Sequence, residues 1–108
     1  MQQLSPTDAA ALCTTAPLLL LDVREGWEIA TAAIRIDGAA LLHIPMGEIP
    51  NRLDELDPAR PILCICHHGM RSAQVGAFLA RQGFESVYNL AGGIDAWSQM
   101  VDANVPRY

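Results

Sequence analysis

The chain of 108 residues contains no lysine, and all seven of its basic residues are arginines. Without lysine, the protein cannot form a Schiff base through a side-chain amine or bind a pyridoxal cofactor in that way. Long hydrophobic runs are also missing, because the longest apolar stretch, residues 17–21, is too short to span a bilayer. Residues 1–6 do not combine a basic region with an apolar stretch, so we predict a soluble, cytoplasmic protein without a membrane partner.

Cysteine is scarce, and the three cysteines form an odd number in a chain in which we detect no export signal. This count does not suit a disulfide framework, so we predict reduced thiols. Basic charge is scarce as well: the formal net charge of −5 and the pI near 4.9 argue against nucleic acid as a partner. Because 51% of the residues are hydrophobic, a substantial core is possible, and we predict a single domain over residues 1–108.

Short apolar runs alternate with helical patterns along the chain. The predicted strands are residues 18–23, 40–44, 61–65 and 87–90. The predicted helices begin near Ser5, Trp27, Pro50, Ser72 and Gly93. This alternation predicts an α/β fold with a parallel sheet of four to five strands and helices on both faces. In such folds, ligands bind where loops leave the carboxyl ends of the strands.

Cys66 stands at one of these strand ends, immediately before a predicted helix. Unpaired N–H groups and the dipole at a helix start favour the thiolate, which is the reactive form of cysteine. A helix terminus alone stabilises a thiolate by only about 0.3–1 kcal/mol, which lowers the pKa of the thiol by less than about one unit. We therefore expect the loop to fold around the sulfur as a ring of amides, with Gly69 at positive φ and Arg71 as a nearby cation.

The other two cysteines and the large aromatic side chains are most simply core residues. Cys13 ends an amphipathic pattern, and Cys64 lies within an apolar strand. A disulfide between Cys64 and Cys66 would be strained, because the two lie only two positions apart on an extended strand. The predicted core aromatics are Trp27, Phe78 and Trp97.

Two adjacent histidines, His67 and His68, raise the alternatives of a general base or a metal site. The only other histidine is His43, and none of the three has the spacing to cysteine that is typical of a metal centre. We therefore predict that the protein binds no metal.

Three segments together resemble the successive motifs of single-domain rhodanese-like sulfurtransferases. They are Asp22-Val23-Arg24-Glu25, Cys66-His67-His68-Gly69-Met70-Arg71-Ser72, and Leu90-Ala91-Gly92-Gly93-Ile94 with Trp97. The resemblance implies a rhodanese-like three-layer fold and a ping-pong reaction without a cofactor. In that reaction the thiolate takes sulfane sulfur from a donor such as thiosulfate, holds it as a persulfide, and passes it to cyanide or to a thiol, including a thioredoxin- or glutathione-like acceptor.

The same resemblance assigns roles to individual residues. Cys66 would be the nucleophile, and the backbone N–H groups from His67 through Ser72 would stabilise its anion. Arg71 would attract an anionic donor, a task suited to a planar guanidinium. Arg24 would either face the cleft or form an ion pair with Glu25, Glu28 or another carboxylate that ties loops together. His67 stands where thiosulfate-preferring members commonly have arginine, which favours a persulfide or a protein as the donor.

Two other classes of protein stay open as alternatives. A cysteine-based phosphatase or arsenate reductase also places a thiolate at a helix start, but five residues commonly separate its cysteine and arginine, whereas four separate Cys66 from Arg71. A rhodanese-like binding or sensing module without catalysis is the second alternative. Such modules often lack the cysteine, so its presence here favours an enzyme.

Overall fold

Five parallel strands form one sheet in the computed structural model, which describes residues 1–108. In chain order they are β1 (Gln2–Leu4), β2 (Leu19–Asp22), β3 (Ala40–His43), β4 (Ile62–Ile65) and β5 (Val87–Leu90). The spatial order β1-β5-β4-β2-β3 places β4 in the centre. The loop that follows β4 therefore lies between the loops that follow β2 and β5.

The chain also forms four α-helices: α1 (Pro6–Cys13), α2 (Gly26–Thr31), α3 (Met70–Arg81) and α4 (Gly93–Met100). Two short 3₁₀ helices, Met46–Asn51 and Leu53–Glu55, connect β3 to β4. No helix has the length and apolar character that crossing a membrane would require.

The side chains of the central strands divide the core into two halves, because successive residues of a strand point to opposite faces. On β2, Leu19 and Leu21 belong to the half that includes Val75 and Leu79 of α3. Leu20 belongs to the other half, with residues of α1 and α4. Helices thus pack on both faces, and the predicted α/β fold with a parallel sheet is confirmed.

Three sequence predictions need correction. The helix predicted from Pro50 through Leu56 is wrong, because the chain forms the two 3₁₀ helices there. The chain enters a 3₁₀ helix at Met46, before Pro50, and Pro50 lies inside that helix, where it has no backbone N–H to donate. Helix α3 begins at Met70, two residues earlier than predicted. Trp27 is 65% exposed and is therefore not a core residue, whereas Trp97 is buried as predicted.

The strand β1 has no counterpart among the four predicted strands. It contains only three residues, two of them exposed glutamines, and it pairs on one side only, with β5. Such a short edge strand has no apolar run by which the sequence could identify it. Backbone pairing with β5 creates it.

Candidate active site

Cys66 directly follows the central strand β4, and only 1% of its surface is exposed. Three hydrogen-bond donors converge on its sulfur. The backbone N–H of Gly69 lies 3.1 Å from Sγ, the N–H of Ser72 lies 3.3 Å away, and the Ser72 hydroxyl lies 3.2 Å away. Donors placed in this way stabilise negative charge on the sulfur.

The start of α3 explains why these donors point at the sulfur. Gly69 occupies the N-cap position and has no side chain with which to cap the helix. The first N–H groups of a helix have no partner within the helix. The Cys66 sulfur accepts from Ser72, the third residue of α3, and so takes the place that a serine or aspartate oxygen has in an ordinary N-cap.

The start of α4 binds the opposite side of the loop. The N–H of Ile94 donates to the carbonyl of Cys66 at 2.9 Å, and the N–H of Asp95 donates to the carbonyl of His67 at 3.1 Å. A Cβ at Gly93 would collide with both carbonyl oxygens, so the close approach requires glycine there. Helix α4 thus binds the carbonyl groups of the loop, while N–H groups at the start of α3 face the sulfur.

Gly69 has φ of +95°, which confirms the predicted positive φ at this position. A Cβ on Gly69 would lie 3.0 Å from the backbone N of Gly92 and 3.2 Å from the carbonyl oxygen of Leu90. Both the backbone conformation and the close packing therefore require glycine.

Asn89, which no sequence motif indicated, holds the Gly69 peptide through its carbonyl. Asn89 lies in β5 and is 1% exposed, and its Nδ2 donates to the Gly69 carbonyl at 3.1 Å and to Gln3 Oε1 at 2.9 Å. An amide side chain within an otherwise apolar buried strand was the available signal, because a buried polar group requires partners.

Arg24 does not face the cleft, which excludes the first of its two predicted roles. The side chain is fully buried and donates to both carboxylate oxygens of Asp22, at 2.8–3.2 Å, and to the carbonyl of Ala32 at 2.7 Å. It therefore forms an ion pair, as the second role required, but the carboxylate is that of Asp22 rather than Glu25 or Glu28. Through these hydrogen bonds to Asp22 and Ala32, the guanidinium links the end of β2 to the segment after α2.

Arg71 forms a two-point ion pair with Glu28, at 2.7 and 2.8 Å. Glu28 is 3% exposed and also accepts from the hydroxyl of Tyr108 at 2.7 Å. Chiefly through the hydrogen bonds from Arg71, the pKa of Glu28 is lowered to about 2, so this carboxylate is charged near neutral pH. Glu28 was named from the sequence only as a possible partner of Arg24, and Tyr108 was not named at all, because no local pattern indicates contacts between residues 43 and 80 positions apart.

The two histidines of the loop stack on each other and do not contact the sulfur by hydrogen bonds. The rings of His67 and His68 lie 3.9 Å apart, and His67 also stacks on Tyr108. Burial lowers the pKa of His67, and its Nε2 is buried without a hydrogen-bond partner. His67 is therefore neutral near neutral pH and supplies no cation to the loop.

Among the N–H groups predicted to stabilise the anion, only those of Gly69 and Ser72 bond to the sulfur. The side chain of Met70 points to solvent and is 74% exposed. The prediction of a continuous ring of amides is therefore too broad. The structure shows a three-donor cradle that includes one side-chain hydroxyl, that of Ser72.

Cys64 is fully buried, and this burial raises its pKa to about 12. Such a thiol is suited to the core rather than to chemistry. Cys13 is partly buried and packs against the half of the core that contains Trp97. No group of three or more His, Cys, Asp or Glu side chains is arranged to bind a metal ion.

Comparison with known proteins places this geometry in a family. Residues 5–100 match the rhodanese-like domain family. The chain is 40% identical over 88 residues to a sulfurtransferase of Allochromatium vinosum, an alignment that covers 82% of this chain and 78% of that one. It is 34% identical over 97 residues to the thiosulfate sulfurtransferase GlpE of Actinobacillus pleuropneumoniae, with 90% and 86% covered.

The fold is similar to that of a rhodanese-related protein from Thermoplasma volcanium, with a TM-score of 0.81, 25% identity and complete coverage of both chains. These relatives support a sulfurtransferase role in general terms. From the family match, the shared fold and the cysteine loop after β4, we conclude that this chain belongs to the rhodanese-like domain family.

Proposed function

We propose that the protein is a sulfurtransferase that carries sulfane sulfur as a persulfide on Cys66. The observation that supports this proposal most strongly is the convergence of three donors on Sγ, within 3.1–3.3 Å. Such an environment stabilises the attacking thiolate, and it stabilises the same thiolate when it leaves in the second step.

The proposed reaction has two steps and needs no external oxidant. In the first, the Cys66 thiolate attacks the outer sulfur of thiosulfate, the S–S bond of the donor breaks, and sulfite leaves with the electron pair. In the second, cyanide or a thiolate attacks the outer sulfur of the persulfide. Thiocyanate or a new persulfide is released, and the Cys66 thiolate is restored. In the cell we propose a thioredoxin- or glutathione-like thiol as the acceptor.

The charge around the loop bears on which donor is used. Two N–H groups of Arg71 donate to Glu28. The Arg71 side chain is 36% exposed, so the remaining N–H groups of its guanidinium can contact an anionic donor. The negative charge of Glu28 offsets the positive charge of Arg71, and His67 is neutral. We therefore propose that thiosulfate is a poorer donor than a persulfide. The thiosulfate sulfurtransferase among the relatives supports thiosulfate as a donor that can still be used.

Mass spectrometry of the intact protein and its peptides tests the proposal. After treatment with thiosulfate or glutathione persulfide, we expect one extra sulfur atom on the peptide that contains Cys66. Cys66→Ala should abolish both this adduct and the production of thiocyanate from cyanide. Cys64→Ser and Cys13→Ser are the matched controls and should retain the adduct.

Two outcomes would contradict the proposal. If no sulfane donor modifies Cys66, the protein is better explained as a rhodanese-like binding module. If the purified protein hydrolyses aryl phosphates and Cys66→Ala abolishes that hydrolysis, the phosphatase alternative is favoured.

A further inference from the structure

Tyr108 lies against the cysteine loop, although the motifs of the sequence do not include it. Its ring stacks on His67, with 3.8 Å between the ring centroids and 8° between the planes. The exposed ring of Trp27 meets Tyr108 edge to face, at 6.0 Å. The aromatic face of Tyr108 thus contacts the residue that directly follows Cys66.

The hydroxyl of Tyr108 makes a second, independent connection to the loop. It donates to Glu28 Oε2 at 2.7 Å and accepts from Arg24 Nη1 at 2.9 Å. Arginine can only donate, so the single hydroxyl hydrogen is directed to Glu28. Burial raises the pKa of Tyr108 to about 12, which keeps this hydrogen in place near neutral pH.

Glu28 links the Tyr108 hydroxyl to Arg71, because it accepts hydrogen bonds from both. One carboxylate oxygen of Glu28 accepts from Arg71 Nη2 and from Tyr108, and the other accepts from Arg71 Nη1. His67 and Arg71 lie on either side of Gly69, whose N–H bonds to the Cys66 sulfur. Tyr108 therefore holds the loop at two points, one before and one after this donor.

We propose that Tyr108 is a positioning residue for the Cys66 loop and keeps the Gly69 and Ser72 donors aimed at the sulfur. The expected effect of Tyr108 on the reaction rate rests on the proposed sulfur transfer, whereas its effect on the order of the loop does not. Tyr108 also packs against the core half that contains Trp97, so a purely structural contribution is the competing explanation.

Two variants of Tyr108 separate the hydroxyl from the ring. Tyr108→Phe loses both hydrogen bonds of the hydroxyl, the one to Glu28 and the one from Arg24, and retains the stacking on His67, whereas Tyr108→Leu loses the hydrogen bonds and the stacking. We expect persulfide formation on Cys66 with glutathione persulfide to slow about fivefold in Tyr108→Phe, which is the effect of losing a hydrogen bond of typical strength, and about twentyfold in Tyr108→Leu, which also loses the ring stacking. Tyr88→Phe is the matched control, because Tyr88 packs against the same core half but has neither the hydrogen bond to Glu28 nor the stacking on His67 that Tyr108 makes, and its rate should be unchanged.

A double-mutant cycle distinguishes positioning from a general structural effect. If the hydroxyl acts through Glu28, Tyr108→Phe should change the rate less than about twofold when it is added to Glu28→Gln. Equal effects of Tyr108→Phe in both backgrounds would overturn the proposed route through Glu28.

Amide hydrogen exchange provides a measurement that needs no sulfur donor. The N–H groups of Gly69 and Ser72 should exchange about fivefold faster in Tyr108→Phe than in Tyr88→Phe, because the loop opens more often. If the unmodified protein takes up no sulfur but this exchange difference is found, the proposed function fails and the positioning role stands. If exchange and rate in Tyr108→Phe both match the control, the positioning role is overturned.

Discussion

Glu28 connects more of the site than any other single carboxylate, because its two oxygens accept from Arg71, from Tyr108 and from the backbone N–H of Glu25. A buried carboxylate is costly unless such donors surround it. Here the donors satisfy the charge and, at the same time, fix the position of an arginine in the cysteine loop. A residue outside the sequence motifs thus organises the surroundings of Cys66.

We predict that Glu28→Gln destabilises the fold by about 1–3 kcal/mol near neutral pH, because charged hydrogen bonds are lost. The pKa of Glu28 is lowered from 4.5 to about 2, so its charge stabilises the folded state above pH 4.5, and this contribution is lost as the pH falls toward 2. Urea unfolding of the variant and the unmodified protein should give a difference in free energy that shrinks over that window.

Glu85→Gln is the control for this measurement, because Glu85 is exposed and belongs to none of the ion pairs. The stability of this variant should follow that of the unmodified protein at every pH. A difference for Glu28→Gln that stays constant between pH 4.5 and about 2 would contradict the assignment.

At the scale of elements, the cysteine loop is built by the starts of two helices. Helix α3 directs N–H groups to the sulfur, and helix α4 directs N–H groups to the carbonyls of Cys66 and His67. Both starts use a glycine in the left-handed conformation, Gly69 and Gly92, as the N-cap. The geometry of the site therefore depends on two elements that are joined only through tertiary packing.

Gly69→Ala and Gly83→Ala form a matched pair that tests this arrangement. Both glycines have positive φ, +95° and +91°, so alanine should cost each variant about 1–2 kcal/mol of stability. A Cβ at Gly83 meets nothing within 4 Å, whereas one at Gly69 meets the backbone of Gly92 and Leu90.

We expect both alanine variants to lower the urea midpoint, but only Gly69→Ala to slow persulfide formation on Cys66, by about tenfold or more, since displaced donors stabilise the anion less. Stopped-flow measurement with glutathione persulfide gives the rates. Equal rates in the two variants would show that the Gly69 donor is dispensable.

At the scale of the whole molecule, the buried Arg24 joins parts of the chain that are distant in sequence. It pairs with Asp22 at the end of β2, and it donates to the carbonyl of Ala32 and to the hydroxyl of Tyr108. The side chains of Arg24 and Asp22 are 0% and 1% exposed. Losing one partner of such a pair leaves an uncompensated charge in the interior.

We predict that Arg24→Leu destabilises the protein by about 3–5 kcal/mol, because the Asp22 carboxylate stays buried without its partner. Arg52→Leu is the comparison, since Arg52 pairs with Glu48 and Glu55 at the surface and should change stability little. Urea unfolding of both variants decides the question. Similar losses in the two would contradict a structural role for the buried pair.

The sequence determined the α/β class, the succession of the main strands along the chain, and the position of the thiol at the junction of β4 and α3. These features follow from local patterns, namely short apolar runs, helix starts and glycines, which act over a few neighbouring residues. For the same reason, the positive φ of Gly69 was predictable.

Only the tertiary structure decided which donors meet the sulfur, which carboxylate pairs with each arginine, and that Asn89 and Tyr108 contact the loop. Arg71 and Glu28 lie 43 positions apart, and Arg24 and Tyr108 lie 84 apart. Such contacts depend on how the sheet and helices pack, and no local pattern specifies them. The chemistry available to Cys66 was thus indicated by its neighbours in sequence, whereas its immediate surroundings were set by residues that only folding brings together.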